Sequence, residues 1–93
     1  MSEQVVYKTA KKIDISTGDQ LTADLNALAD QGKYELVIDM SDTVYISSVG
    51  LRSLLNMQKK VNAQEGSMVI RNACEMVRKV FEVTGFDKLF TIE

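Results

Sequence analysis

Glu35-Leu36-Val37-Ile38-Asp39-Met40-Ser41-Asp42-Thr43-Val44-Tyr45-Ile46-Ser47-Ser48-Val49-Gly50-Leu51-Arg52-Ser53-Leu54-Leu55 is the stretch on which the reading of this chain turns. Its opening run, Glu35 to Met40, is apolar and β-branched, which predicts a strand. The unbroken apolar character predicts burial on both faces, as in a sheet covered by helices. Ser41-Asp42-Thr43 turns the chain. Val44-Tyr45-Ile46 is a short apolar step. From Ser48 to about Asn62, Leu51, Leu54, Leu55, Gln58 and Val61 recur at helical spacing, with polar Gln58 at the edge of the face. Arg52, Asn56, Lys59 and Lys60 lie mainly outward. A strand that turns into a helix is the repeating unit of an α/β fold.

Upstream, Val5-Val6-Tyr7 reads as a first strand, and Ile13 and Ile15 continue it or start a second. Asp14, Ser16, Thr17 and Gly18 form a turn cluster, and Thr17 with Gln20 has the spacing of a capping box. Leu21, Leu25 and Leu28 then predict a helix from about Asp19 to Asp30, closed by Gly32 in a left-handed cap. Downstream, Ser67-Met68-Val69-Ile70 is another buried-type strand. A third helix spans roughly Ala73 to Val83, with Val77, Val80 and Phe81 inward and Gly85 as its cap. Phe86, Leu89, Phe90 and Ile92 close the core. The alternation predicts a sheet with helical cover and right-handed crossovers between parallel neighbours.

The chain has 93 residues, the size of a single domain over 1–93. Apolar residues make up 45% and charged residues 26%, which excludes a disordered or membrane-spanning composition. No apolar run approaches the ~20 residues needed to cross a bilayer. Met1 to Tyr7 carries Glu3 and lacks the apolar segment of a leader peptide. Cys74 stands alone, so no internal disulfide forms, and the expected location is the cytoplasm. Net charge is −2 and Lys11-Lys12 and Lys59-Lys60 are isolated pairs, unlike the concentrated positive field of a nucleic-acid surface. Histidine is absent, which removes the commonest metal ligand and general base. No metal and no cofactor are expected.

The chemistry concentrates where the second helix starts. The first amides of a helix have no internal acceptors. Ser47 is placed to cap them, and Ser48 then stands in the first turn, where the helix dipole favours negative charge. Gly50 allows close approach of backbone or of a partner. A phosphate on Ser48 would add about −1.5 to −2 charges. The helix start tolerates that charge, whereas a partner packed over the same spot is repelled. Read from these residues alone, two explanations stand: Ser47 and Ser48 only cap a helix, or Ser48 is a switch.

Other residues carry the same pair of readings. Asp14 and Ser16 belong to a docking surface near Ser48, or to a local cap. Asp39 and Asp42 order their loop, or contact a basic residue on a partner. Arg52, one turn from Ser48, pairs with a partner carboxylate or with the phosphate, or is an ordinary surface arginine. Met57 and Met68 are core filler and Met76 is exposed. Asp39 as a phosphatase nucleophile would need a clustered acidic metal site and a placed lysine, and neither is evident.

Val37 to Ser41, Tyr45 to Arg52 and Leu54-Leu55 together resemble the signature of the STAS domain, the fold of bacterial anti-sigma factor antagonists. Val80-Phe81-Glu82-Val83-Thr84-Gly85-Phe86-Asp87-Lys88-Leu89-Phe90 is similar to the closing helix and loop of that family. The resemblance implies a mixed β-sheet with helices packed on one side. It implies a binding protein and not an enzyme. The serine matched by Ser48 is the phosphorylation site, and its unphosphorylated form binds an anti-sigma factor or switch-type serine kinase and releases the regulated partner. A separate phosphatase of the PP2C type restores the complex. The partner-binding surface is expected to comprise Asp14, Ser16, Asp42, Ser47, Ser48, Val49, Gly50 and Arg52. Ser47 stands where many relatives carry aspartate, and Val49 replaces a small residue, often serine, so Ser47 is the rival acceptor. The paired strands before the first helix look compressed into Val5 to Ile15. A STAS-like structural subunit of a transport or stress complex, without a phosphate cycle, is the alternative.

Overall fold

A computed structural model describes residues 4–93, so Glu3, on which the leader argument leaned, lies outside the described residues. Four strands form the main sheet: β1 (Val5–Lys8), β3 (Glu35–Asp39), β5 (Ser67–Arg71) and β6 (Thr91–Ile92), in the spatial order β1-β3-β5-β6. Two further strands, β2 (Lys12–Ile13) and β4 (Tyr45–Ile46), pair separately. The helices are α1 (Ile15–Asp30), α2 (Ser48–Ala63) and α3 (Glu75–Thr84), and a 3-10 turn over Phe86–Lys88 leads into β6.

The α/β architecture is the one expected, but every ladder among the described residues is parallel, where a mixed sheet was expected. Each crossover steps one strand further in the same direction. Right-handed crossovers that never reverse direction put all their helices on one face. The registers agree: Leu36, Ile38, Met68 and Ile70 join Leu21, Leu25, Leu54, Met57, Val61, Val77 and Phe81 in one core. Each such side chain contributes roughly 1.5–3 kcal/mol when fully buried.

The other face corrects the reading of the Glu35–Met40 run. Val37 lies beside Val6 and Val69 in the ladders and stays out of that core. It is shielded although Val6 is 62% exposed. A central strand hides its residues between cross-strand neighbours, so an unbroken apolar run does not require a second helical layer.

Helix α1 starts four residues earlier than expected, at Ile15, so Ile15 is neither strand nor core but 70% exposed. The capping box is Asp14 with Thr17, not Thr17 with Gln20: the Thr17 amide donates to Asp14 Oδ1 at 2.9 Å and the Asp14 amide donates to Thr17 Oγ1 at 2.8 Å. Gly32, at φ 72°, takes the left-handed conformation expected after the helix. Gln58 is buried rather than marginal, donating from Nε2 to Asn62 Oδ1. At the C-terminus, Phe90 stacks edge-on against Phe81 and Phe86, but Leu89 is 51% exposed and does not close the core. The 3-10 turn rotates it outward and lets Ile92 add an edge strand beside Ile70.

Candidate functional site

The β2–β4 ladder brings together the two segments that lead into α1 and α2. Lys12 pairs with Tyr45 and Ile13 with Ile46. Two further bonds extend the pairing, from the Val44 amide to the Lys11 carbonyl and from the Ser47 amide to the Ile13 carbonyl, both 2.8 Å. One residue past each paired isoleucine comes a helix cap, Asp14 on one side and Ser47 on the other. The two helix N-termini therefore lie side by side.

The start of α2 is packed from below. Gly50 is buried, and a Cβ there would stand 2.6 Å from Ile13 Cγ2 and 2.9 Å from Ile46 Cγ1. Val49 is half-buried against Gly18 of α1. Ser47 is half-buried, and its hydroxyl accepts the Gly50 amide over a long 3.4 Å. Ser48, the first residue of the helix, is exposed. Of the two serines, Ser47 spends its oxygen on the cap, and Ser48 presents its hydroxyl to solvent. No acidic residue stands in the first turn of α2, so the partial positive charge of the helix start is not offset there.

A cleft of about 260 Å³ opens beside this serine, lined by Ser48, Leu51, Arg52, Leu55, Thr84 and Phe86. Arg52 is exposed on its rim. Leu55, Thr84 and Phe86 were not foreseen as neighbours of Ser48. Their signal was hidden because Leu55 and Phe86 have the spacing of core residues, and only the turn after α3 carries Phe86 back toward α2.

The structure brings Asp14, Ser47, Val49 and Gly50 together through the β2–β4 pairing, with Ser16 exposed in the adjoining first turn of α1. Thr17 holds the Asp14 carboxyl below the usual carboxylate range, chiefly through its backbone amide. Asp42 is exposed and pairs with Lys8 at 3.2 Å. Asp39 accepts from the Asn72 side chain and from the Ser41 amide, each at 3.0 Å, and these bonds, Asn72 first, lower its pKa. It orders the loop after β3. Among the described residues, no group of three or more His, Cys, Asp or Glu is arranged to hold a metal ion, and no helix is long and apolar enough to cross a membrane.

The STAS domain family model matches residues 2–93. BtrV of Bordetella bronchiseptica, named as an anti-sigma factor antagonist, is 35% identical over 80 residues, covering 86% of this chain and 69% of BtrV. The anti-sigma-B factor antagonist of Bacillus subtilis is 32% identical over 83 residues, covering 89% of this chain and 75% of that protein. The fold matches the crystal structure of Thermotoga maritima TM1081 with a TM-score of 0.86 at 20% identity, over 96% of this chain and 77% of the other. It also matches unphosphorylated SpoIIAA, an anti-sigma factor antagonist, with a TM-score of 0.78 at 19% identity, over 100% and 81%. On its sequence and its fold together, this chain belongs to the STAS domain family, among relatives named as anti-sigma factor antagonists.

Proposed function

We propose that this chain is a single-domain, non-enzymatic partner-switching protein of the cytoplasm, controlled by phosphorylation of Ser48. Unphosphorylated, it binds an anti-sigma factor or a switch-type serine kinase and frees the protein that kinase restrains. Phosphorylated, it lets go. A PP2C-type phosphatase resets it. One observation carries the reading: an exposed serine hydroxyl opens a helix whose positive end is not offset, at the rim of an apolar cleft.

The proposed docking surface comprises Asp14, Ser16, Asp42, Ser47, Ser48, Val49 and Arg52, extended by the cleft residues Leu55, Thr84 and Phe86; Gly50, expected on that surface, is buried against Ile13 and Ile46 and supports it from below. In the free domain a phosphate on Ser48 is solvated on one side and faces helix amides on the other, so it costs the fold little. Under a docked partner the same dianion loses its water, which is costly without a compensating cation. Arg52, one turn along α2, also draws the phosphate toward the domain's own surface.

The test is phosphorylation by the cognate anti-sigma or switch-type kinase with ATP, followed by mass-spectrometric mapping and by affinity measurement. Modification is expected at Ser48. Ser48→Ala is expected to keep the kinase bound, and Ser48→Asp to weaken binding by about tenfold or more, or ~1.4 kcal/mol. Modification at Ser47 instead, or equal affinity of the Ala and Asp variants, would overturn the proposal.

A further inference from the structure

We propose that Gly18 is a positioning residue for Ser48, acting through Val49 as a notch-and-key contact between α1 and α2. The inference rests on the reading of Ser48 above, because it concerns the pose of that same hydroxyl. A Cβ added at Gly18 would lie 2.8 Å from Val49 Cγ1 and 3.3 Å from Val49 Cβ, with the Gly50 amide nitrogen at 3.5 Å. Gly18 is buried and is the fourth residue of α1, a helical position where glycine is ordinarily less favourable than alanine. Packing accounts for its presence: the notch admits a β-branched side chain from the neighbouring helix.

Val49 is stiff at χ1 in a helix, so it cannot swing aside cheaply. It follows Ser48 directly, and Gly50 on its other side is seated on Ile13 and Ile46. The first turn of α2 is thus held at two successive residues, Val49 by α1 and Gly50 by the β2–β4 pair. Ser48 is left as the outward residue of a clamped turn. Filling the notch displaces Val49, and with it the amides that a phosphate on Ser48 would face.

The test uses the full chain with phosphoserine installed at position 48 during translation, and reads the ³¹P shift against pH. Free phosphoserine has its second ionisation at about 6. Phosphate seated on the α2 amides is expected to ionise at lower pH than in the same chain unfolded in urea. Arg52 lowers the midpoint as well, but it is common to all variants, as are Asp14 and Asp19 on the facing helix. Gly18→Ala is expected to move the midpoint at least halfway to the unfolded value and to speed amide exchange at Leu51, whose amide makes the first backbone bond of α2, to the Ser47 carbonyl at 3.0 Å, by about tenfold. Adding Val49→Ala in the Gly18→Ala background is expected to restore both readouts. A midpoint unchanged in Gly18→Ala, no restoration in the double variant, or a wild-type midpoint equal to that in urea would overturn the proposal. If Gly18→Ala alone does not fold, a folded double variant with the wild-type midpoint supports the contact, and an unfolded one overturns it. Neither kinase nor partner enters these measurements, so they stand apart from the fate of the switching proposal.

Discussion

The starts of α1 and α2 follow the same local plan and differ in charge. Each comes two residues after a member of the Ile13–Ile46 pair, and each is capped by a side-chain oxygen of the residue between. At α1 the cap is an ionised aspartate with a reciprocal bond from Thr17, so the helix end is satisfied and its dipole offset. At α2 the cap is neutral, its bond is long, and the first turn has no acid. Two adjacent helix ends in one fold thus differ in what they leave unsatisfied. One is closed by its aspartate cap, and the other is electrostatically open, the feature on which the proposed phosphorylation of Ser48 would draw.

The comparison can be broken most forcefully at Gly50. Gly50→Ala places a methyl group into Ile13 and Ile46, and overpacking of this kind costs about 1–3 kcal/mol. Urea denaturation is expected to show a lower midpoint with an unchanged slope. A variant as stable as wild type would mean that the start of α2 is not clamped by the β2–β4 pair.

A smaller effect is expected at the neutral cap. Ser47→Ala removes the acceptor of the Gly50 amide and should cost about 0.5–1 kcal/mol, the low end for a cap because the bond is long. Ser47→Asp makes α2 resemble α1 and should stabilise the unmodified protein by about 0.3–1 kcal/mol at low salt. It should also reduce the tolerance for phosphate at Ser48, seen as a larger fall in melting temperature on phosphorylation than in wild type. Equal falls would remove the argument from the missing first-turn acid.

The least effect is expected from acid titration. Asp14 and Asp39 have lower pKa values folded than unfolded. Their contributions are therefore complete above the unfolded carboxylate pKa of about 3.9 and are lost as pH falls through the lower native values. Stability should decline below about pH 4, and Asp14→Asn should flatten that decline while leaving the behaviour of the α2 start unchanged. A decline as steep in Asp14→Asn as in wild type would show that Asp14 is not the closed cap described here.

Much of this was legible in the residues because it depends on local chemistry. The period of Leu21 and Leu25, the apolar run from Leu36 to Ile38, the helix beginning at Ser48 and the left-handed turn at Gly32 all express preferences of a few neighbouring residues. The family signature from Val37 to Leu55 marked the α/β fold and singled out Ser48 from a common serine pair. Local pattern misplaced the start of α1, because Asp14 and Thr17 cap at the spacing that Thr17 and Gln20 also offer. It also misjudged Val37, whose burial comes from Val6 and Val69 on other strands.

The amino-acid order by itself determined that there are three helices, that β1, β3 and β5 are strands and which hydroxyl opens α2, because those outcomes follow from short-range sterics and hydrogen bonding. Only the tertiary structure decided that the two helix caps lie together, that Gly18 receives Val49, and that Phe86 returns to border Ser48. Those contacts join residues about thirty or more positions apart, and what brings them together is strand pairing and the one-directional winding of the sheet, which no local pattern encodes.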